Sequence, residues 1–158
     1  MSDPSLCSGG LTISFWIRVN INDSALQESV YVISSGGQTT KARGIALVFM
    51  GDHFIFVLST KNKEWKLEIP EVSQSWFHFA VTWSEENDLL VYIDGLISGS
   101  TSSIRVNRPR DSFTKVTIGR PNNSEKLKYR MALRMDNLAV WEKALSPYEI
   151  SILQKLGK

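Results

Sequence analysis

Basic side chains are concentrated in one stretch of this 158-residue chain. Residues 101–134 carry nine Lys and Arg but only two acidic residues, Asp111 and Glu125, so their net charge is +7. The other residues carry nine basic and fourteen acidic side chains, a net charge of −5, and the whole chain therefore carries +2. An arginine fork suits sulfate oxygens, as it suits phosphate, through paired hydrogen bonds. The stretch predicts a basic surface for an acidic partner, above all a sulfated glycan, or else a solvated surface whose cations pair with Asp and Glu elsewhere. The candidate ligand-binding residues are Arg105, Arg108, Arg110, Lys126, Lys128 and Arg130.

Histidine, cysteine and aspartate give weaker signals. His53 and His78 are the only histidines and are too far apart for a zinc motif, and Cys7 is the only cysteine, which excludes an internal disulfide or a cysteine-based metal site. We expect His78 to be hydrogen-bonded within a sheet. Asp52 lies between two predicted strands and is either a turn residue or a ligand of one weakly bound calcium ion. The expected cofactors are therefore none, or that single calcium.

A glycoside-active enzyme is the alternative to a binding function. Such an enzyme needs two carboxylates about 5–9.5 Å apart across the scissile bond. Glu64 and Glu68 share one face of a predicted strand, whereas Glu85, Glu86 and Asp88 fall in a predicted hairpin loop, where acidic residues are ordinarily solvated. No Glu-x-Asp-x-Glu run is present. We therefore expect no enzyme and no catalytic residues.

Alternation of apolar and polar residues predicts an all-β protein, an antiparallel two-sheet sandwich with one short C-terminal helix. A capping box, with Ser146 at the N-cap and Glu149 three residues later, marks the start of that helix. Trp16 and Trp76 fall on outer strand faces, where packing is preferred to stacking on sugar rings. The residues expected to be buried are Phe15, Ile17, Phe77, Phe79, Val81, Trp83, Leu138 and Val140. The predicted strands are 11–19, 31–34, 45–50, 53–59, 65–69, 76–83, 89–93, 96–98, 115–119 and 131–141.

Three groups of motifs occur in a fixed order between residues 9 and 157. They are LTISFWI at 11–17; WFHFAVTWS at 76–84 with VYIDG at 91–95; and VTIG at 116–119 with MDNLAVW at 135–141 and ALSPYEI at 144–150. In order and spacing they resemble the laminin-G/pentraxin group of concanavalin A-like jelly rolls. The resemblance implies a single jelly-roll domain over residues 1–158, part of a larger protein. It also implies a non-enzymatic recognition or adhesion module that binds glycans, glycosaminoglycans or protein partners through rim loops.

The resemblance also shows where this chain differs from pentraxins. The two halves of the pentraxin disulfide fall on Ser14 and Ala80, so that bridge is missing. The pentraxin calcium positions match Ala42, Arg43 and 121–123, which include an arginine and a proline. Calcium takes six to eight oxygen ligands, so we expect no tight double-calcium site.

Other sequence features favour an extracellular or cell-surface location. Asn22 and Asn122 begin N-glycosylation sequons in predicted loops. No apolar run approaches the roughly 18 residues of a membrane span, so this segment is not expected to insert into a membrane. Nucleic acid ranks last among the partners, because no helix-turn-helix or RNP-like motif accompanies the basic stretch.

Overall fold

A computed structural model describes residues 3–19, 29–37, 39–50, 53–70, 75–110, 115–121 and 133–157. Among these residues, strands arranged in two antiparallel sheets dominate, and one α-helix follows them, so the predicted all-β class is confirmed. A 3-10 turn at Pro4–Leu6 precedes the strands. The elements are β1 (Leu11–Val19), β2 (Val30–Ser34), β3 (Gly44–Met50), β4 (His53–Ser59), β5 (Lys63–Ile69), β6 (Phe77–Ser84), β7 (Asp88–Ile93), β8 (Leu96–Thr101), β9 (Ile104–Arg105), β10 (Thr117–Ile118), β11 (Leu133–Trp141) and α1 (Pro147–Leu156).

The chain divides into two compact units, each built on one sheet. The first unit comprises residues 1–6, 21–72 and 103–132 and holds a six-stranded sheet in the order β10-β2-β3-β4-β5-β9. The second comprises residues 7–20, 73–102 and 133–158 and holds a five-stranded sheet in the order β11-β1-β6-β7-β8, together with α1. Single-domain organisation over residues 1–158 remains a prediction.

Apolar positions in the five-stranded sheet follow the predicted alternation. Phe15 and Phe79 are register partners on β1 and β6, and their rings stack with centroids 5.1 Å apart. Buried aromatic residues of this size contribute a large share of core stability, because each removes a large apolar area from water. Six of the eight residues expected to be buried are buried: Phe15, Ile17, Phe77, Phe79, Val81 and Trp83.

The prediction that Leu138 and Val140 are buried is wrong, since they are 37% and 44% exposed. Both lie on β11, which is an edge strand of its sheet. Between the pairs Ser14↔Ala139 and Trp16↔Asp136, two residues of β11 oppose one residue of β1. This is the pattern of a β-bulge, and Asn137 within it has a positive φ of 53°. A sequence pattern with a regular period of two predicts neither the bulge nor the position of β11 at the edge of its sheet.

Helix α1 packs on the five-stranded sheet. Ile150 forms a buried cluster with Ala80 and Tyr92, joined by Leu153 and other half-buried apolar residues. The predicted capping box is present: Ser146 Oγ accepts a hydrogen bond from the Glu149 N–H, and the Glu149 carboxylate accepts one from the Ser146 N–H. The helix thus begins where its sequence signal places it.

The hairpin between β7 and β8 shows why its turn residues are Asp94 and Gly95. Ile93 and Leu96 are register partners, so the loop has two residues. Asp94 and Gly95 have φ values of 49° and 80°, as a type I′ turn requires. Asp94 is therefore a turn residue. Its carboxylate accepts a hydrogen bond from the backbone N–H of His78 at 2.9 Å.

Candidate functional site

Residues 104–110 pair with cation-bearing segments from two other parts of the chain, beginning at the edge strand β9 of the six-stranded sheet and ending beside the residues just before β3. Strand β9 pairs with β5, so that Arg105 is the register partner of Lys63. The backbone N–H of Arg108 donates to the Lys61 carbonyl at 2.9 Å, and that of Arg110 donates to the Lys41 carbonyl at 3.2 Å. We call the set Lys41, Lys61, Lys63, Arg105 and Arg110 the cationic edge. Lys63 is half-buried, and the other four are exposed.

Arg108 is not part of this exposed set, which corrects its assignment to the basic surface. Its side chain is buried, with 5% of the residue exposed. It forms an ion pair with Glu64, and its Nη1 donates to the Ala42 carbonyl at 3.1 Å. Burial lowers the pKa of Arg108, but a guanidinium starts so high that it remains charged at neutral pH. Arg108 can be buried because Glu64 compensates its charge. It therefore anchors the 104–110 segment.

The carboxylates next to these arginines are already engaged. Glu64 pairs with Arg108, and Asp3 pairs with Arg43 at 2.8 Å. Burial on its own would raise the pKa of Asp3, but hydrogen bonds from Ser5 and Arg43 lower it overall, so the group is ionised at neutral pH. Each of these carboxylates therefore pairs with an arginine that is not part of the cationic edge.

Lys63 and Arg105 carry like charges at facing positions of β5 and β9. Facing positions more often carry opposite charges, and departures from such local rules occur at functional sites in real proteins. Sequence reasoning identified Arg105 and Arg110 but missed Lys41, Lys61 and Lys63, because their proximity arises from pairings between distant segments. The sequence signal that was available is the pair of lysines at the start of β5, Lys61 two residues before it and Lys63 as its first residue.

Several predicted site residues lie outside the residues that the structure describes. They are Lys126, Lys128 and Arg130 of the basic stretch, Asp52 as a calcium ligand, and the sequon residues Asn22 and Asn122. Among the described residues, no group of three or more His, Cys, Asp or Glu side chains is placed to hold a metal ion. In the same part of the chain, no helix has the length and apolarity needed to cross a membrane.

The five-stranded sheet contains a serine–histidine pair. Ser14 Oγ lies 2.7 Å from His78 Nε2, which confirms that His78 is hydrogen-bonded within the sheet. Burial lowers the pKa of His78, and the nearby Asp94 only partly offsets this. A nucleophile–base pair needs a third group that orients the base. Asp94 bonds the backbone of His78, and Nδ1 of its ring has no hydrogen-bond partner in the described structure.

The candidate glycosidase acids do not form a catalytic pair. Glu64 is bound by the buried Arg108, and Glu68 pairs with Lys66 at 3.2 Å in an exposed position on the same strand. Each of the two carboxylates is therefore engaged by a cation. The geometry of these two residues therefore gives the enzyme alternative no support.

The fold and motifs can now be compared with known proteins. A laminin G model, described as the concanavalin A-like lectin/glucanases superfamily, matches residues 1–151. The chain belongs to this family. It is 28% identical over 156 residues to human adhesion G-protein coupled receptor D1, and the match covers 96% of this chain and 17% of the receptor. The bovine receptor of the same name is 25% identical over 161 residues, with 16% of its length covered.

Solved structures show the same fold in binding proteins. The receptor-binding domain of botulinum neurotoxin D superposes with a TM-score of 0.69 at 17% identity, covering 94% of this chain and 37% of the other. The binding domain of botulinum neurotoxin DC, solved in complex with SialylT, gives 0.69 at 18% identity, covering 98% and 37%. At these identities the likeness concerns the fold alone, and it confirms the predicted jelly-roll class. The relatives named here are an adhesion receptor from two organisms, one receptor-binding domain and one binding domain.

Proposed function

We propose that this chain is a non-enzymatic extracellular recognition module, part of a larger protein, that binds a sulfated glycan through the cationic edge. The observation that carries the proposal is the facing pair Lys63 and Arg105 at the end of the six-stranded sheet. Membership of a family that includes lectins, and similarity to an adhesion receptor, support a binding function outside the cell.

A polyanion suits two cations at facing positions of an antiparallel strand pair. Neighbouring strands lie about 4.8 Å apart and residues of one strand rise about 3.3 Å each, so Lys63 and Arg105 present their charges at close spacing. Sulfate oxygens placed between the two cations would form charge-assisted hydrogen bonds with both. Arg110 and Lys41, joined through their backbones, extend the positive surface beyond that pair.

The side chains of the cationic edge favour a sulfated glycan over single-stranded nucleic acid. Proteins that bind single strands combine a basic groove with aromatic side chains on which the bases stack. The residue beside Arg105 on β9 is the exposed Ile104, which is aliphatic. The side chains of the cationic edge itself are arginine and lysine, which suit a ligand that offers charged oxygens rather than flat bases.

Heparin affinity chromatography tests the assignment. The double variant Lys63→Ala/Arg105→Ala should elute at lower salt than the parent, because it removes the facing pair. The matched control is Lys115→Ala/Arg120→Ala, which removes two exposed cations beside β10, at the opposite edge of the same sheet and within the same basic stretch. If the two variants lose retention equally, the heparin column responds to the total charge of the protein and not to the positions of the cations. Unchanged retention of the first variant would refute the site.

Desulfated heparin separates sulfate recognition from recognition of the sugar backbone. We expect the parent protein to pass through a desulfated column at a salt concentration that retains it on heparin. Retention on both columns would contradict a role for sulfate.

A further inference from the structure

Strand β8 (Leu96–Thr101) lies at one edge of the five-stranded sheet. It pairs with β7 on one side, and no strand among the described residues pairs with its other side. An edge of this kind presents a row of backbone N–H and C=O groups to which another strand can bind. Two of its apolar side chains are accessible as well, since Leu96 is 76% exposed and Ile97 is 57% exposed. The proposed glycan function does not use this strand.

The other three sheet edges in the described part of the chain carry features that oppose strand pairing. Natural proteins protect sheet edges with very short strands, charged side chains, prolines and bulges. Strands β9 and β10 have two residues each, and β9 contains Arg105. Strand β11 is longer, but it contains the charged residues Arg134 and Asp136 and is interrupted by the bulge at Asn137. These three strands are therefore poor templates for a further strand.

Strand β8 lacks most of this protection. It is six residues long, and its sequence LISGST contains neither a charged residue nor a proline. It does contain a bulge, because Ser98 has no register partner on β7 whereas Ile97 and Gly99 do. Strand structure continues on both sides of the bulge. Among the sheet edges that the structure describes, β8 is thus the one that combines length with an absence of charge.

The composition of β8 makes a second copy of the same strand a compatible partner. In a two-fold antiparallel pair, both copies contribute the same surface. When the pair is centred on the middle of β8, Leu96 faces Thr101 of the second copy, and Ile97 faces Ser100 of the second copy. Like charges at facing positions oppose strand pairing, and β8 contains no charge that could meet its own copy. The whole chain carries only +2, which adds little long-range repulsion between two copies.

We propose that two copies of this chain associate through β8, so that their five-stranded sheets join into one continuous antiparallel sheet. Backbone hydrogen bonds between the two β8 strands hold the copies together, and Leu96 and Ile97 lose part of their contact with water. A pairing limited to one strand per copy is small beside the roughly 1,200–2,000 Å² of a stable interface. The dimer is therefore weak and depends on protein concentration.

Sedimentation velocity of the whole chain over a series of concentrations tests the proposal. We expect the sedimentation coefficient to rise with concentration from that of a monomer towards that of a dimer and to stop there, because a two-fold pairing closes on itself. In NMR spectra of ¹⁵N-labelled protein, the backbone amide resonances of β8 should shift or broaden over the same concentrations. Those of β11, at the opposite edge of the same sheet, should not.

Charge variants locate the interface. Ser98→Lys places a cation at the exposed centre of β8, where it meets its own copy, and should raise the dissociation constant of the dimer about tenfold. The matched control is Tyr148→Lys, which adds the same charge at a 74% exposed position of α1 and should leave the dimer unchanged. An equimolar mixture of Ser98→Lys and Ser98→Glu should associate again, because opposite charges then lie close across the pair. Should Ser98→Lys fail to fold, Ser100→Lys replaces it, with the same expected loss.

Several results would overturn the proposal. A chain that stays monomeric at every concentration would leave β8 to a different partner and refute self-association. A dimer that Tyr148→Lys disrupts and Ser98→Lys does not would place the interface on α1. Growth beyond the dimer, association without any change at the β8 amides, or a mixture of Ser98→Lys and Ser98→Glu that stays monomeric would each contradict a two-fold pairing of this strand.

Discussion

The buried pair of Arg108 and Glu64 predicts a large and selective loss of stability when its charge balance is broken. In Glu64→Gln the guanidinium of Arg108 stays in place with 6% of its side chain exposed, but its carboxylate partner is gone. Removing one partner of a buried pair leaves an uncompensated charge and costs about 3–5 kcal/mol. For a domain whose unfolding free energy is about 5–15 kcal/mol, that is a substantial fraction.

Glu68→Gln is the matched control, since it makes the same chemical change on the same strand. The pair between Lys66 and Glu68 is exposed, with 48% and 63% of the two side chains accessible. Such pairs contribute about 0–1 kcal/mol, because water screens them. Urea denaturation followed by tryptophan fluorescence measures both variants. In the double variant Glu64→Leu/Arg108→Met most of the stability should return, because apolar residues of similar volume often replace a buried pair at little cost. Equal losses in Glu64→Gln and Glu68→Gln would refute this assignment of Arg108 as a buried anchor.

Three further predictions follow from burial and from the residues present. Because burial lowers the pKa of His78 from 6.5, the unfolded chain binds a proton that the folded chain does not. Stability should therefore fall as the pH drops below about 6.5, and urea titrations of His78→Asn should show a shallower fall. Phe79→Ala should cost about 3–5 kcal/mol in equilibrium denaturation, and a variant as stable as the parent would contradict the inward orientation of Phe79. Calorimetry should detect no pair of calcium ions bound with micromolar affinity, because the Ala42 carbonyl accepts from Arg108 and Arg43 is paired with Asp3.

Sequence reasoning succeeded where local pattern and burial agree. Strands β1 and β4 begin and end at the predicted residues. The sequence of β1 alternates except at Trp16, and the turn sequence Gly51-Asp52 marks the start of β4. Helix α1 begins at the predicted N-cap because the capping box is a purely local signal. Strand β9 was missed: two exposed residues, Ile104 and Arg105, have no alternation to detect and become a strand only through pairing with β5.

The candidate sites depended on pairings between distant segments, which a single sequence does not display. Ser14 and His78 are 64 positions apart and meet only because β1 and β6 are neighbours. Leu138 and Val140 follow the alternation of β11 but lie at a sheet edge next to a bulge, so their exposure was not foreseen. In each case the physical cause is tertiary: which strands are neighbours, and where the register shifts.

The net charge of +7 on residues 101–134 is not the charge of one surface, as Arg105, Arg108 and Arg110 show. Arg108 contributes to that count but is neutralised by Glu64, a residue of the acidic remainder of the chain. Lys41, Lys61 and Lys63 belong to the same remainder, yet the fold brings them to Arg105 and Arg110. One of the three arginines between residues 105 and 110 is therefore not part of the cationic edge, and three of its lysines lie outside the basic stretch. A buried ion pair that holds the 104–110 segment in place makes this edge a defined arrangement of charges, which is what the proposed recognition of sulfate groups by position requires.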